Sequence, residues 1–152
     1  PKNDEFFGEY VSPEKERLKY LTGFSGSAGQ SLVLKKQAFL FVDGRYTLQA
    51  QKEVRKGFKV IQIHKTIPSD ILRKNKQKLR IGFDPRIYSL ASLINLYKTE
   101  NVKLIPIKKN LIDKIWPSTC PVGAAPRIVG NKLNKCGTDS VASWEIIAVF
   151  GM

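Results

Sequence analysis

The stretch Ala38–Val42 reads AFLFV and carries no polar residue at any position. A strand with one face in water alternates apolar and polar side chains; one that is apolar throughout must be covered on both faces. That requirement forces a layered fold, with a sheet held between other elements. The flanking segments supply candidates for both sheet and layers. "QSLVLKK" predicts a strand joined to AFLFV by a tight turn at Lys36-Gln37, although the turn lacks an Asn-Gly signature. "FKVIQIH", "RIGF" and "VKLIPI" predict three more strands, the last at a sheet edge because Pro106 cannot donate to a ladder.

Helical signals lie between these strands. Ser12-Pro13-Glu14 reads as an N-cap, a proline at the first helical position and an acid in the first turn, with Leu18 and Leu21 on one face and Gly23 as the stop. After Asp43, the spacing of Tyr46, Ala50 and Val54 predicts an amphipathic helix closed by Gly57. "SDILRKN" predicts a short basic helix, and Ser89 caps a helix whose Leu90, Leu93, Ile94 and Tyr97 follow helical spacing. "NLIDKIW" closes with a helical turn. Strands alternating with helices of about a dozen residues predict an α/β domain, a mixed sheet flanked by helices.

The character of the chain changes after Trp116. Residues 117–152 hold both cysteines, Cys120 and Cys136, only two acids and no clear long helix. We therefore expect a domain over residues 1–116, followed by a divergent tail or linker over 117–152. Two cysteines make no disulfide framework, so a reducing cytoplasm is expected. No signal peptide is visible in "PKNDEFFGEY", and a first residue that is proline suggests a chain processed or cut from something longer. Apolar runs such as Ala38–Val42 are far too short to cross a bilayer, so no membrane partner is expected.

A net charge of +13 raises the question of nucleic acid. Lysine supplies 19 of the 26 basic residues, and they are scattered. The densest stretch, "LRKNKQKLR" with Arg73, Lys74, Lys76, Lys78 and Arg80, has no aromatic platform for bases. It reads as a solvated lysine-rich helix and loop, and nucleic acid is not the expected partner.

The candidate chemistry is sparse. In "GFSGSAG" the glycines Gly23, Gly26 and Gly29 lack the order and flanking strand of a phosphate cradle; a tight turn and close backbone approach account for them. His64 is the only histidine, and Ser25 or Ser27 would have to be its nucleophile, without a GxSxG elbow. One histidine and two distant cysteines cannot close a tetrahedral metal site, and the acids are too dispersed for a di-metal centre. No catalytic residue and no metal ligand is assigned. What remains is Asp43-Gly44-Arg45-Tyr46. Asp43 can cap the following helix, and Gly44 permits a sharp turn or a ligand's approach. Arg45 sits in the first helical turn, where the helix dipole disfavours a cation, at the carboxyl end of a strand where α/β folds place ligands. Its guanidinium could hold a carboxylate or a carbonyl, or could pair with Asp43 on the surface. The residues alone leave both readings open.

These motifs together resemble a known family. "NDEFFGEYVSPEKERLKYLTGFSGSAGQSLVLKKQAFLFVDGRYTLQAQKEV", then "GFDP", then "IPIKKNLIDKIW", over residues 3–116, are similar to the N-terminal domain of Xaa-Pro aminopeptidases (aminopeptidase P), of the creatinase/prolidase group. The resemblance implies a ribonuclease-H-like α/β layer that is not itself catalytic. It implies a peptide substrate with proline in second position, a homodimer, and two manganese ions held by two aspartates, a histidine and two glutamates in a separate catalytic domain missing here. It also implies that Arg45 contacts the peptide, with Asp43, Gly44, Tyr46 and Phe24 as structural support of the site. The family carries a helix and strand ahead of the "PKNDEF" equivalent; without them the sheet is expected to lack its first strand and to leave apolar surface uncovered. The alternatives are a basic nucleic-acid-binding module and a stand-alone regulator that pairs with a full-length peptidase.

Overall fold

The computed structural model describes residues 2–116 and, beyond them, the backbone of four short strands. Cys120 and Cys136 lie outside the described residues. Strands β1 (Gly29–Val33) and β2 (Ala38–Val42) form the expected antiparallel hairpin, closed by Leu34 N–H donating to the Gln37 carbonyl at 2.8 Å. Strand β3 (Phe58–Gln62) runs parallel to β2 on its other side. Strands β4 (Leu79–Phe83) and β5 (Val102–Pro106) pair in parallel, and β5 takes the edge, as its proline requires.

The two blocks do not bond to each other directly. Between them lies β9 (Ile147–Phe150), antiparallel to β1 and parallel to β4, giving the order β3-β2-β1-β9-β4-β5. A strand from the far side of Trp116 thus joins the two blocks. Strands β6 (Ile128–Val129), β7 (Lys132–Asn134) and β8 (Val141–Ser143) form a separate antiparallel sheet.

Helices cover both faces, and β2 shows why its composition is what it is. Ala38, Leu40 and Val42 join a cluster with Leu18, Leu21 and Phe24. Phe39 and Phe41 point the other way, into a cluster with Leu72, Ile81, Leu93 and Tyr97. All five β2 residues are buried. Full burial of each large side chain is worth ~1.5–3 kcal/mol, which a polar residue at any β2 position would forfeit.

The helices are shorter than the dozen residues expected. Pro13–Lys15 is a 3-10 turn, and α1 (Arg17–Thr22) starts only after it, ending at Gly23 in the left-handed conformation (φ 83°). Helix α2 (Thr47–Glu53) stops at an extended Val54, so Gly57 (φ 101°) shapes the turn into β3 rather than the helix end. Helix α3 is Pro68–Arg73. In α4 (Leu90–Tyr97), Ser89 accepts from Ser92 N–H as a cap, but only Leu93 and Tyr97 are buried; Leu90 and Ile94 are exposed. Asn110 caps α5 (Leu111–Ile115) through Ile112 N–H.

Polar groups bind the N-terminal segment to α1 and α5. The Arg17 guanidinium, 3% exposed, donates to Asp113 at 2.6 Å and to Glu5 at 2.7 Å. Burial raises the Glu5 carboxyl, but the backbone and Arg17 hydrogen bonds outweigh it and the net shift is downward. Trp116 stacks on Tyr20 with ring centroids 4.5 Å apart. Among the described residues no helix is long and apolar enough to cross a membrane.

Candidate functional site

Strand β2 delivers the site. Where it ends at Val42, Asp43 stays extended (φ −63°, ψ 152°) and caps a 3-10 turn over Gly44–Tyr46 that precedes α2. Arg45 therefore lies in this turn and not in the α-helix. Its backbone N–H donates to Asp43 Oδ1 at 2.9 Å, and its Nε donates to the same oxygen at 3.0 Å. A carboxylate immediately beside it thus offsets the unfavourable helix field expected for Arg45. The pair is open to solvent, with the Arg45 side chain 77% exposed. Only Nε is engaged among the described residues, so the terminal amines point a free donor fork outward.

Asp43 also receives His64, whose Nε2 lies 3.3 Å from Oδ2. Three donors on one carboxylate favour its charged form. The Arg45 backbone N–H acts first, then the guanidinium and His64, and the carboxyl is lowered to about 2. The same carboxylate raises Arg45. The Arg45 guanidinium also lies 5.6 Å from the centroid of the Tyr46 ring, a cation–π distance.

The glycine-rich loop supports this turn from below. Phe24 is fully buried and meets Tyr46 edge to face at 5.9 Å. The loop closes so tightly on the Phe24 ring that a Cβ at Gly26 would sit 2.2 Å from Cζ. Close approach therefore requires glycine at Gly26, as left-handed backbone does at Gly23. Gly44 differs: its φ is ordinary and a Cβ there meets nothing within 4 Å, so the turn itself does not need glycine. Ser27 Oγ and Tyr46 Oη are 2.6 Å apart. Ser25 donates from both N–H and Oγ to the Glu53 carboxylate, which Gln49 also reaches at 2.9 Å. Ser25, Ser27, Gln49, Glu53 and His64 are thus site neighbours that sequence reasoning did not connect to Arg45.

The arrangement can hold a partner group. His64 faces Asp43, while Ser25 and Ser27 are engaged with Glu53 and Tyr46, so no serine–histidine pair forms. Among the described residues no group of three or more His, Cys, Asp or Glu side chains could hold a metal ion. These residues do not fit a di-metal centre.

Comparison with known proteins gives this geometry a context. The chain is 29% identical to the Xaa-Pro aminopeptidase ApepP of Drosophila melanogaster, over 97% of this chain and 25% of that protein. It is 35% identical to a probable Xaa-Pro aminopeptidase P of Coprinopsis cinerea, over 80% of this chain and 21% of that protein. Among solved structures, the X-prolyl aminopeptidase of Caenorhabditis elegans, described as a cytosolic enzyme with a di-nuclear active site, superposes with a TM-score of 0.66. That match has 27% identity and covers 76% of this chain and 20% of that one. The chain thus spans about a quarter or less of the length of these relatives. The model of the Creatinase/Prolidase N-terminal domain matches residues 8–115, the span that carries both the sheet blocks and the Asp43–Arg45 turn, and the chain belongs to that family.

Proposed function

We propose that this chain is the non-catalytic N-terminal unit of an Xaa-Pro aminopeptidase-like metallopeptidase, which releases an N-terminal residue preceding proline. The unit shapes the cleft, supports a homodimer and presents Arg45 to the peptide. The two catalytic manganese ions belong to a separate catalytic domain, and the assembly works in the cytoplasm. The observation that carries this reading is the Arg45 fork, fixed at Nε by Asp43 yet 77% exposed at the carboxyl end of β2. Such a fork recognises a carbonyl or carboxylate brought by another body. Phe6 and Tyr10, 85% and 87% exposed within one short segment, add the kind of apolar surface that protein contacts use.

The test is a chimera in which residues 2–116 replace the matching segment of the Drosophila enzyme. Arg45→Ala should lower kcat/KM for Xaa-Pro peptides about tenfold or more, the loss of one charge-assisted hydrogen bond of ~1.5–3 kcal/mol. Its effect on unfolding should stay within ~0.5 kcal/mol. Unchanged kinetics would remove Arg45 from substrate contact. Manganese-dependent turnover by the isolated chain, surviving purification controls, would overturn the non-catalytic reading.

A further inference from the structure

A concave surface lies at the end of the sheet opposite Arg45. β4 is parallel to β9, which is antiparallel to β1, and β1 is antiparallel to β2; β2 and β4 therefore point the same way. Arg45 follows the carboxyl end of β2, whereas a groove of ≈ 710 Å³ opens where β2 and β4 begin. Two turns far apart in sequence form its walls. The β1–β2 turn brings Lys35 and Lys36, and the α3–β4 loop brings Lys74, Lys76, Lys78 and Arg80. Among the described residues, no aspartate or glutamate lines the groove. All six cations are exposed, and none has an ion pair among the described residues.

The walls are set in place before any ligand arrives. Asn101 Nδ2 donates to the carbonyls of Leu72 and Asn75 at 2.9 and 2.7 Å, and Asn75 Oδ1 accepts from Gln77 N–H at 3.1 Å. The opposite turn is closed by the Leu34–Gln37 hydrogen bond. Gathering six like charges, none ion-paired among the described residues, around one concavity costs repulsion that a multiply charged anion would relieve. The volume falls in the range of small-molecule sites, about 300–1,000 Å³. Among the described residues no aromatic side chain lines it, so they offer no stacking platform for nucleic-acid bases.

We propose that this groove binds a compact polyphosphate, a small ligand carrying several contiguous phosphate groups. Lysine ammonium groups serve such a ligand as mobile point charges, while the Asn75 and Gln77 amides add neutral donors. The site is independent of the Arg45 reading, since the two lie at opposite ends of β2.

The experiment is calorimetric titration of the full chain with inorganic tripolyphosphate at about 150 mM salt, a Debye length of about 8 Å. Saturable 1:1 binding is expected, with orthophosphate much weaker. The triple variant Lys36→Gln/Lys76→Gln/Lys78→Gln should weaken it about tenfold or more, from three contacts of modest individual strength. A charge-matched triple on the exposed Lys65, Lys108 and Lys109, which follow the carboxyl ends of β3 and β5 away from the groove, each to glutamine, should shift it less than about threefold. Equal losses in the two triples, or no saturable binding, would overturn the proposal. So would groove-dependent binding of a dT12 oligonucleotide or of phosphatidylserine vesicles that tripolyphosphate does not compete away.

Discussion

Replacing Gly26 by alanine places a methyl group 2.2 Å from Phe24 Cζ and 2.7 Å from Cε2. Ordinary contact begins near 3.4 Å, so ring or loop must move by more than 1 Å. Neither can do so cheaply, because Phe24 is 0% exposed and its neighbour Leu18 is 1% exposed. Overpacking of this kind costs ~1–3 kcal/mol. Against it stands the usual benefit of Gly→Ala where the backbone is compatible, ~0.4–1 kcal/mol through the unfolded state. The clash wins, and Gly26→Ala should destabilise by ~1–2 kcal/mol. Urea unfolding reads this directly: with a slope of ~1.5 kcal/mol/M the midpoint should fall by about 1 M at constant slope. Phe24→Leu removes the ring atoms the methyl meets, so the double variant should lose less than the sum of the singles by at least ~0.5 kcal/mol. Gly44→Ala is the internal control, since its Cβ meets nothing within 4 Å; it should gain ~0.4–1 kcal/mol. A neutral Gly26→Ala, or strict additivity with Phe24→Leu, would refute the contact as the reason for that glycine.

Two further outcomes follow from buried and charged groups. The Asp43 carboxyl, held at about 2 against an ordinary 3.8, contributes stability that is present above pH ~4 and lost as pH falls toward 2, because the folded value lies below the unfolded one. NMR titration of Arg45→Ala should keep most of the depression, since the backbone N–H of residue 45 is its largest cause; a return to 3.8 would show the guanidinium to be dominant. Tyr97→Phe should cost ~1–3 kcal/mol by stripping the 2.9 Å bond to Gln30, itself 0% exposed, and an unchanged melting temperature would mean that Gln30 is satisfied elsewhere.

Local signals carried the fold well where one residue's surroundings are set by its near neighbours. β2 was legible because an uninterrupted apolar run has one solution, and the capping roles of Ser89 and Gly23 held at their positions. Asp43 as a cap was also legible, but the same signal opens a 3-10 turn or an α-helix, and here it opens the former. The stripe on α4 misled because spacing reports residue type and not what lies opposite; Leu90 remains 73% exposed. At the site, the Asp43–Arg45 pair is adjacent in sequence and could be foreseen. The Asp43–His64, Ser27–Tyr46 and Ser25–Glu53 bonds join residues 21, 19 and 28 positions apart, with no periodicity to announce them. The basic run 73–80 was visible, yet its meeting with Lys35 and Lys36 needed the sheet order.

That sheet order has a consequence for how the chain assembles. The β1–β3 block and the β4–β5 block each complete their own ladders from local sequence, and an apolar layer containing both Phe41 and Ile81 can bring them together early. Hydrogen-bond continuity across the sheet waits for residues 147–150, which must find a slot bordered by Leu32 on one side and Gly82 on the other. Closing so distant a pairing is slow relative to hairpin formation. During synthesis the edges of β1 and β4 that β9 joins can pair with it only once residue 150 has emerged, an interval in which other strands compete for the same edges.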